Sequence, residues 1–245
     1  MVLSSLNLRR AIRRSAAFNQ GLQFILPKYR RLAVSDETQV VIEGYPRCAN
    51  TFAVVAFEMS QPAPLKVAHH LHSVAQLRRG AELSLPTMAL LRNPLDAVTS
   101  LAIRKRHRSV RWALEEYVDF HSGALELADH LFFVDFKEVT ADFGEVIRRF
   151  NDRFATNFAV FEHTEANVAK CYEQIDLIER NEAGGLAVRA THVARPSAER
   201  QDRKQALANE FNSPALSPLL REAERLYEKL SEARVGQLAS PDVIA

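Results

Sequence analysis

The sequence predicts a three-layer α/β domain in which helices cover both faces of a central parallel sheet. The 245 residues have an apolar share of 47% and a charged share of 25%, a composition typical of one ordinary globular domain. Short runs rich in Val, Leu and Ile have the continuous apolar character of strands that are buried on both faces. Longer stretches with helical spacing lie between these runs, and this alternation favours parallel strands joined by helices.

The predicted elements follow one another in the order β-α-β-α-β-α-β-α. The strands are the apolar runs that stop at turn or polar residues, namely residues 39–43, 65–71, 87–91 and 131–136. The helices are the stretches with helical period, namely residues 51–59, 96–104, 110–127 and 143–154, with a terminal helix near 218–233. Parallel sheets bind ligands at the carboxyl ends of their strands, so functional residues are expected in the loops that follow the strands.

The first 35 residues are expected to form a basic arm ahead of a single domain that spans residues 36–245. The basic residues that precede the first acid, Asp36, are Arg9, Arg10, Arg13, Arg14, Lys28, Arg30 and Arg31. This pattern suits a solvated helix, and it equally suits contact with an anionic membrane face or with a partner subunit. The net charge of +2 gives no support for general nucleic-acid binding.

Cysteine usage and hydropathy indicate a soluble protein of a reducing compartment. Cys48 and Cys171 are the only cysteines, and they belong to no CxxC or Cys/His ligand series, so neither a disulfide framework nor a zinc module is expected. No apolar run approaches the ~20 residues of a membrane-spanning helix, and the N-terminus lacks the apolar region of a signal peptide. We therefore expect a cytoplasmic protein, with the basic arm as the segment that would associate with a membrane.

The loop after the first predicted strand has the pattern of an altered phosphate cradle. Compared with the nucleotide-binding pattern G-x-x-x-x-G-K-[ST], it keeps Gly44 and Thr51 but has Ala49 and Asn50 in place of the second glycine and the lysine. That lysine spans the terminal phosphates of a nucleoside triphosphate. Its absence disfavours Mg-dependent phosphoryl transfer.

Arg47 supplies a cation inside this loop instead. Its guanidinium can meet phosphate or sulfate oxygens as a fork. Backbone N–H groups from Cys48 to Phe52, at the start of the following helix, are expected to add donors and the positive end of the helix dipole. The loop is thus suited to an anion, although a plain strand-to-helix turn with an incidental arginine would show the same residues.

A second candidate loop follows the third predicted strand. Arg92 leaves that strand at its carboxyl end, Asn93 and Pro94 form a turn, and Asp96 is expected to cap the next helix. Ser100 lies about two helical turns further on, where it can face the end of the strand. An arginine and a hydroxyl that converge make a phosphate clamp. The alternative is that Arg92 takes part in an ordinary surface salt bridge.

These two loops resemble those of sulfotransferases that use 3′-phosphoadenosine 5′-phosphosulfate (PAPS). Residues 45–52, YPRCANTF, are similar to the signature Pro-Lys/Arg-Ser-Gly-Thr/Asn-Thr-Trp/Phe, whose loop holds the 5′-phosphosulfate. The matching positions are Pro46, Arg47, Asn50, Thr51 and Phe52, and the departures are Cys48 and Ala49. Residues 92–100 are similar to Arg-Asn/Asp-Pro-x-Asp-x-x-x-Ser, whose arginine and serine hold the 3′-phosphate. The resemblance covers about the first half of the chain, and it implies a P-loop-like strand-turn-helix that binds the donor.

Three histidines, His69, His70 and His72, lie between the two loops at the end of the second predicted strand. Because side chains alternate along a strand, His70 and His72 are expected to share a face and His69 to point away. Histidine titrates near neutral pH and therefore suits a general base. The family usually carries a Lys-Thr-His run here, which makes His72 the first choice, with His70 sharing the site or replacing the lysine. A three-histidine metal site and a purely structural role are the alternatives.

Three later segments carry weaker signals. The basic run at residues 103–111 suits a solvated helix end, and it would also suit an acidic acceptor. Arg195 and Arg200 resemble, in position and charge alone, the late basic loop with which sulfotransferases close over the nucleotide. Residues 134–139 break the family's pattern at the end of the fourth strand, so a structural role is expected for them.

The resemblance as a whole implies an enzyme that transfers a sulfuryl group from PAPS to a hydroxyl or amine. The acceptor would be a small molecule, a lipid or a carbohydrate, and the product nucleotide would be adenosine 3′,5′-bisphosphate. The expected catalytic residues are Arg47, His70 and His72, and neither a metal nor a nucleic-acid partner is expected. Two other functions stay open: a non-catalytic protein of the same fold that binds a nucleotide or a sulfated glycan, and a P-loop-type small-molecule kinase.

Overall fold

A central sheet of four parallel strands organises the protein. The computed structural model describes residues 31–105, 108–182, 207, 210–211 and 213–239. The strands are β1 (Val40–Gly44), β2 (Val67–His69), β3 (Thr87–Leu91) and β4 (Phe132–Asp135). They lie in the order β2-β1-β3-β4, and every neighbouring pair is parallel. Helices flank this sheet, which confirms the predicted three-layer α/β fold.

Within the described residues, eight α-helices connect and cover these strands. They are α1 (Asn50–Ser60), α2 (Val74–Glu82), α3 (Pro94–Arg104), α4 (Val110–Leu125), α5 (Phe136–Ala141), α6 (Phe143–Phe154), α7 (Glu165–Glu182) and α8 (Ser217–Ala239). Four of them, α1, α3, α4 and α6, match predicted helices to within two residues at each end, and α8 extends six residues beyond its predicted end. The sequence pattern does not predict α2, α5 or α7, because α5 is barely longer than one turn and α7 carries polar residues on most of its surface.

Every position of β1, β3 and β4 is buried, as expected for strands covered by helices on both sides. The register places Gly44 opposite Leu90, so β1 and β3 end side by side and their loops begin next to each other. A side chain at Gly44 would bring a Cβ within 2.8 Å of the Leu90 Cβ. The glycine therefore permits the close approach of the two strands where the candidate site begins.

The predicted second strand is longer than the observed one. β2 ends at His69, because His70 and His72 have φ angles of 59° and 50°, which lie in the left-handed region and are incompatible with a continued strand. The expected alternation of side chains therefore does not apply to these histidines, and that part of the prediction is wrong.

The β4 edge of the sheet and the segment before β1 are both bonded to side chains that are distant in sequence. At the β4 edge, the Gln237 side chain of α8 accepts a hydrogen bond from the Phe133 N–H (3.0 Å) and donates one to the Leu131 carbonyl (2.6 Å). Near β2, the buried Gln76 side chain accepts from the Val34 N–H and donates to the Leu32 carbonyl, both at 3.2 Å. Residues that precede β1 are therefore packed from Leu32 onwards. Residues 1–30 of the predicted basic arm (1–35) lie outside the described residues, and within its last five residues Leu32, Ala33 and Val34 are buried.

None of the helices described here is both long enough and apolar enough to cross a bilayer.

Candidate functional site

The loop between β1 and α1 contains two non-glycine residues in left-handed conformation, Arg47 (φ 75°) and Ala49 (φ 67°). Tertiary hydrogen bonds hold this unfavourable backbone. The Asn50 Nδ2 donates to the Tyr45 carbonyl at 2.9 Å, and the Arg92 Nη1 donates to the Arg47 carbonyl at 2.8 Å. Backbone strain that persists under such constraints is common at ligand sites. Ala49 takes this conformation at a position where a glycine would be unstrained.

The start of α1 offers backbone donors toward this loop. Ala49 is the N-cap residue, and its methyl side chain cannot accept a hydrogen bond from the first turn. The N–H groups of residues 50–52 therefore receive no cap from it, as the phosphate-cradle prediction requires. The Cys48 N–H differs, because it donates to the Tyr45 carbonyl at 3.3 Å. The Cys48 N–H is therefore already bonded within the loop and is not one of the donors that the sequence suggested.

Cys48 takes no part in the site through its side chain. The residue is fully buried, and burial raises the pKa of its thiol to about 12. The thiol is therefore protonated at neutral pH and faces the core. The Asn50 side chain is also buried and bonds to the loop backbone. Neither Cys48 nor Asn50 can therefore bind an anion through its side chain.

Arg47 contacts both residues of the predicted phosphate clamp, through its side chain to Ser100 and through its carbonyl to Arg92. The Arg47 Nε donates to the Ser100 Oγ at 3.0 Å, across a separation of 53 residues. The Arg92 guanidinium lies 4.0 Å above the centre of the Phe136 ring, and the Tyr117 hydroxyl donates to the Arg92 carbonyl at 2.8 Å. Phe136 thus fixes the plane of this guanidinium, a role that the sequence did not indicate. Two partly exposed cations and a hydroxyl form one cluster at the end of β3.

The cap of α3 is Asn93, not Asp96 as expected. The Asn93 Oδ1 accepts hydrogen bonds from the N–H groups of Leu95 (3.0 Å) and Asp96 (3.5 Å). Pro94 takes the first helical position, where its missing N–H costs nothing, and this makes the preceding asparagine the N-cap residue. Asp96 lies in the first turn, where its negative charge favours the helix dipole.

His70 links the histidine loop to α1. Its Nε2 lies 3.1 Å from the Thr51 hydroxyl, and its Nδ1 lies 2.6 Å from the Nδ1 of His69. Both ring nitrogens of His70 are therefore in hydrogen bonds. His69 does not point away from the site as predicted, because the loop turns back after β2. The described residues contain no group of three His, Cys, Asp or Glu side chains arranged to hold a metal ion.

His72 presents a different geometry. Its Nδ1 lies 2.7 Å from the Gly44 carbonyl, which can only accept, so Nδ1 carries the proton and the neutral ring has its lone pair on Nε2. Burial lowers the pKa of His72 to about 4, the hydrogen bond to Gly44 opposes this shift, and the positive charges of Lys105, Arg104 and Arg47 add to it. At neutral pH the ring is therefore unprotonated.

Glu43, which sequence reasoning missed, connects these loops from below. Its fully buried carboxylate accepts hydrogen bonds from the N–H groups of Leu71 (2.7 Å), His72 (3.0 Å) and Gly44 (3.2 Å) and from the Gln76 side chain (3.2 Å). Burial raises the pKa of Glu43 to about 8, against the effect of these hydrogen bonds. The one signal in the sequence was a single acid inside the otherwise apolar strand VVIEG.

Several side chains of the basic run at residues 103–111 form contacts within the protein. Arg104 forms an ion pair of 3.7 Å with Glu179 of α7, and Lys105 and Arg108 approach the Trp112 ring at 5.7 and 5.1 Å. These contacts place positive charge beside His72. Arg195 and Arg200, expected to close over a nucleotide, lie outside the described residues.

Comparison with protein-family models, with curated proteins and with solved structures gave no match to this chain. Any assignment of activity therefore depends on the two loops, the histidines and their geometry.

Proposed function

We propose that this protein is a sulfotransferase that moves the sulfuryl group of PAPS to a hydroxyl or amine of an acceptor. The observation that supports this most is the convergence of Arg47, Arg92 and Ser100 beside the start of α1. Two guanidinium groups, a hydroxyl and helix N–H donors suit a ligand that carries two separate anionic groups.

The residues divide between the two ends of such a donor. The N–H groups of residues 50–52, the Thr51 hydroxyl and Arg47 would hold the phosphosulfate, while Arg92 and Ser100 would hold the 3′-phosphate. The contact between Arg47 and Ser100 joins both groups, so Arg47 can serve either anion. Each donor aimed at the charge that develops on the leaving phosphate can contribute roughly 3–4 kcal/mol to the lowering of the barrier.

His72 is better placed than His70 to act as the general base. The Gly44 carbonyl holds the proton on Nδ1 of His72 and leaves Nε2 as the basic atom, whereas both nitrogens of His70 are hydrogen-bonded to Thr51 and His69. His70 would then orient the Thr51 hydroxyl. PAPS, when bound, supplies an activated sulfuryl group whose bond to the 5′-phosphate oxygen breaks as the acceptor atom bonds to sulfur. His72 Nε2 would take the proton from that acceptor atom.

The low pKa of His72 is compatible with its proposed role as the general base. A base with a pKa of about 4 is unprotonated at neutral pH, but it attracts a proton less strongly than one with a pKa near 7. Part of the shift comes from the positive charges of Lys105, Arg104 and Arg47. An anionic donor bound among these cations would offset their effect and raise the pKa. The base would therefore strengthen when the donor is in place.

Calorimetry with adenosine 3′,5′-bisphosphate tests donor binding. We expect the wild-type protein to bind it and Arg92→Ala to bind it about 10- to 100-fold more weakly, because a hydrogen-bonded charge is lost. Ser100→Ala, which leaves the loop backbone in place, should weaken binding by about tenfold or less.

Arg148→Ala is the matched control for loss of an arginine. Arg148 is exposed on α6 and pairs only with Glu145 at 2.7 Å among the described contacts, so its removal should leave binding unchanged. The donor assignment fails if the wild-type protein does not bind the nucleotide, or if Arg92→Ala and Ser100→Ala bind it as well as Arg148→Ala does. Tighter binding of ATP with transfer of labelled phosphate would favour the kinase alternative.

A further inference from the structure

We infer that Glu43 is a positioning residue that holds the backbone of residues 70–72 and thereby aims the His72 ring into the site. The description of His72 as a base rests on the proposed function, but the positioning itself depends only on contacts within the protein. Glu43 belongs to none of the loops that the sequence singles out.

The first step concerns what the carboxylate binds. Its two oxygens accept hydrogen bonds from the consecutive backbone N–H groups of Leu71 and His72, at 2.7 and 3.0 Å. The Gly44 N–H and the Gln76 Nε2 complete its surroundings, both at 3.2 Å. All four partners are donors and Glu43 is 0% exposed, so no water is needed to satisfy it.

The second step concerns the loop that these bonds hold. His70 and His72 both have positive φ angles, on either side of Leu71. A left-handed conformation is unfavourable for residues with a Cβ, and such residues persist only when surrounding contacts fix them. Glu43 binds the N–H of Leu71, which lies between the two strained residues, and the N–H of His72, which is the second of them, and both bonds constrain the backbone there.

The third step concerns the ring. The His72 Nδ1 donates to the carbonyl of Gly44, which directly follows Glu43 in β1. The last two residues of β1 therefore hold His72 twice, by its backbone and by its ring. The loop between β1 and α1 begins at the next residue, Tyr45. The end of β1 therefore positions both this loop and His72.

A carboxylate is the group that this position requires. Glutamine would present one amide NH₂ to neighbours that are all donors, so at least one of the bonds to Leu71 or His72 would be lost. Aspartate would withdraw both oxygens by one methylene group. The hydrogen bonds to the loop therefore explain why position 43 is a glutamate, which packing of the core alone does not explain.

Nitrogen NMR of the histidine rings tests the inference with Glu43→Gln. Spectra at pH 9, above the pKa of about 8 at which Glu43 ionises, compare the variant with the wild type. We expect His72 to be in the Nδ1–H form in the wild type and in a mixture of forms in the variant. The Leu71 and His72 amides should exchange about tenfold faster in the variant.

His121 is the internal reference for this experiment. Its Nδ1 lies 2.8 Å from the Tyr117 carbonyl in the core, so its tautomer is held in the same way but far from Glu43 in the sequence. Its signals should not change in Glu43→Gln. Asp135→Asn alters another buried carboxylate at a strand end and should leave both the His72 tautomer and the Leu71 exchange rate as in the wild type.

A folded Glu43→Gln protein with wild-type His72 tautomer and exchange rates would overturn the inference. If this variant does not fold, amide exchange in the wild type decides: protection of Leu71 and His72 comparable to that of β1 supports the inference, and exchange as fast as that of exposed turns refutes it. Neither measurement uses a ligand. Failure of nucleotide binding, which would refute the proposed function, is therefore distinguishable from failure of this inference.

Discussion

The carboxyl ends of β1 and β4 both carry a buried carboxylate, but the two carboxylates hold different kinds of structure. Glu43 at the end of β1 binds loop N–H groups beside the candidate base. Asp135 at the end of β4 caps α5 by accepting from the Lys137 N–H at 2.9 Å, and it accepts from the Tyr227 hydroxyl of α8 at 2.7 Å. The first therefore orders loops, whereas the second fastens helices to the sheet.

Backbone strain separates the two regions further. Among the described residues, the non-glycine residues with positive φ are Arg47, Ala49, His70, His72, Ser84 and Ala155. The first four lie in the two loops that meet at the end of β1. The end of β4 has instead a capping box, in which the Glu138 side chain accepts from the Asp135 N–H at 2.9 Å. Under the proposed function, the strained β1 end would bind the ligand and the capped β4 end would contribute stability.

Among the variants that test the difference between the two strand ends, His72→Ala is expected to have the largest effect. Loss of a general base should lower the rate of sulfate transfer by about 10²- to 10⁴-fold, because proton removal from the acceptor is then unassisted. The affinity for adenosine 3′,5′-bisphosphate should stay within about threefold of the wild type, since its anionic groups are held by other residues. Transfer of labelled sulfate from PAPS to a panel of acceptors measures the first quantity, and calorimetry the second.

His70→Ala is the matched variant for this prediction. It should affect nucleotide binding and transfer together, because His70 contacts the Thr51 hydroxyl of the cradle. If His72→Ala transfers sulfate as rapidly as the wild type, His72 is not the base, and the catalytic role proposed for the histidine loop is refuted.

A smaller effect, on stability alone, is expected from Glu138→Gln at the β4 end. The Glu138 carboxylate pairs with Arg149 of α6 at 3.1 Å and with Arg234 of α8 at 2.9 Å. All three side chains are mostly buried. Loss of the Glu138 charge therefore leaves the guanidinium groups of Arg149 and Arg234 without their anionic partner. We expect the free energy of unfolding in urea to fall by about 2 kcal/mol, less than for a fully buried pair because solvent screens part of the interaction.

Glu222→Gln provides the control for Glu138→Gln. Its exposed pair with Arg225 at 2.6 Å lies within one helix, and its removal should have no measurable effect on unfolding. Neither variant should alter nucleotide binding. Weaker binding by Glu138→Gln would contradict the division of roles between the two strand ends.

The smallest expected effect concerns the strained loop itself. Ala49→Gly removes the Cβ from a residue with φ 67° and should raise the free energy of unfolding by about 1 kcal/mol or less, because relief of left-handed strain exceeds the added flexibility of the unfolded chain. Ala155→Gly offers the comparison outside the site, since Ala155 ends α6 with φ 50°. Thermal unfolding should show a similar gain for both. A loss for Ala49→Gly alone would mean that the loop after β1 is not strained.

Sequence patterns of short range identified most of the elements and the two loops that form the candidate site. Continuous apolar runs revealed the strands, and β3 and α6 have the boundaries that their patterns predict. Arg47, Arg92 and Ser100 were found because a turn after a strand and a helix start are local features with characteristic residues. Asn93 was misassigned in favour of Asp96, although the effect of Pro94 on the preceding residue is also local.

Tertiary structure decided how these pieces meet. The bonds of Glu43 to Leu71 and His72 span 28 and 29 residues, and the bond of Arg47 to Ser100 spans 53. Such contacts depend on the strand order β2-β1-β3-β4, which no pattern of period two or 3.6 encodes. The positive φ angles of His70 and His72 have the same origin, because distant hydrogen bonds overcome the local preference of the backbone. The sequence by itself thus determined the candidate residues for an anion site, and only the folded sheet decided that the Gly44 carbonyl holds the Nδ1 of His72.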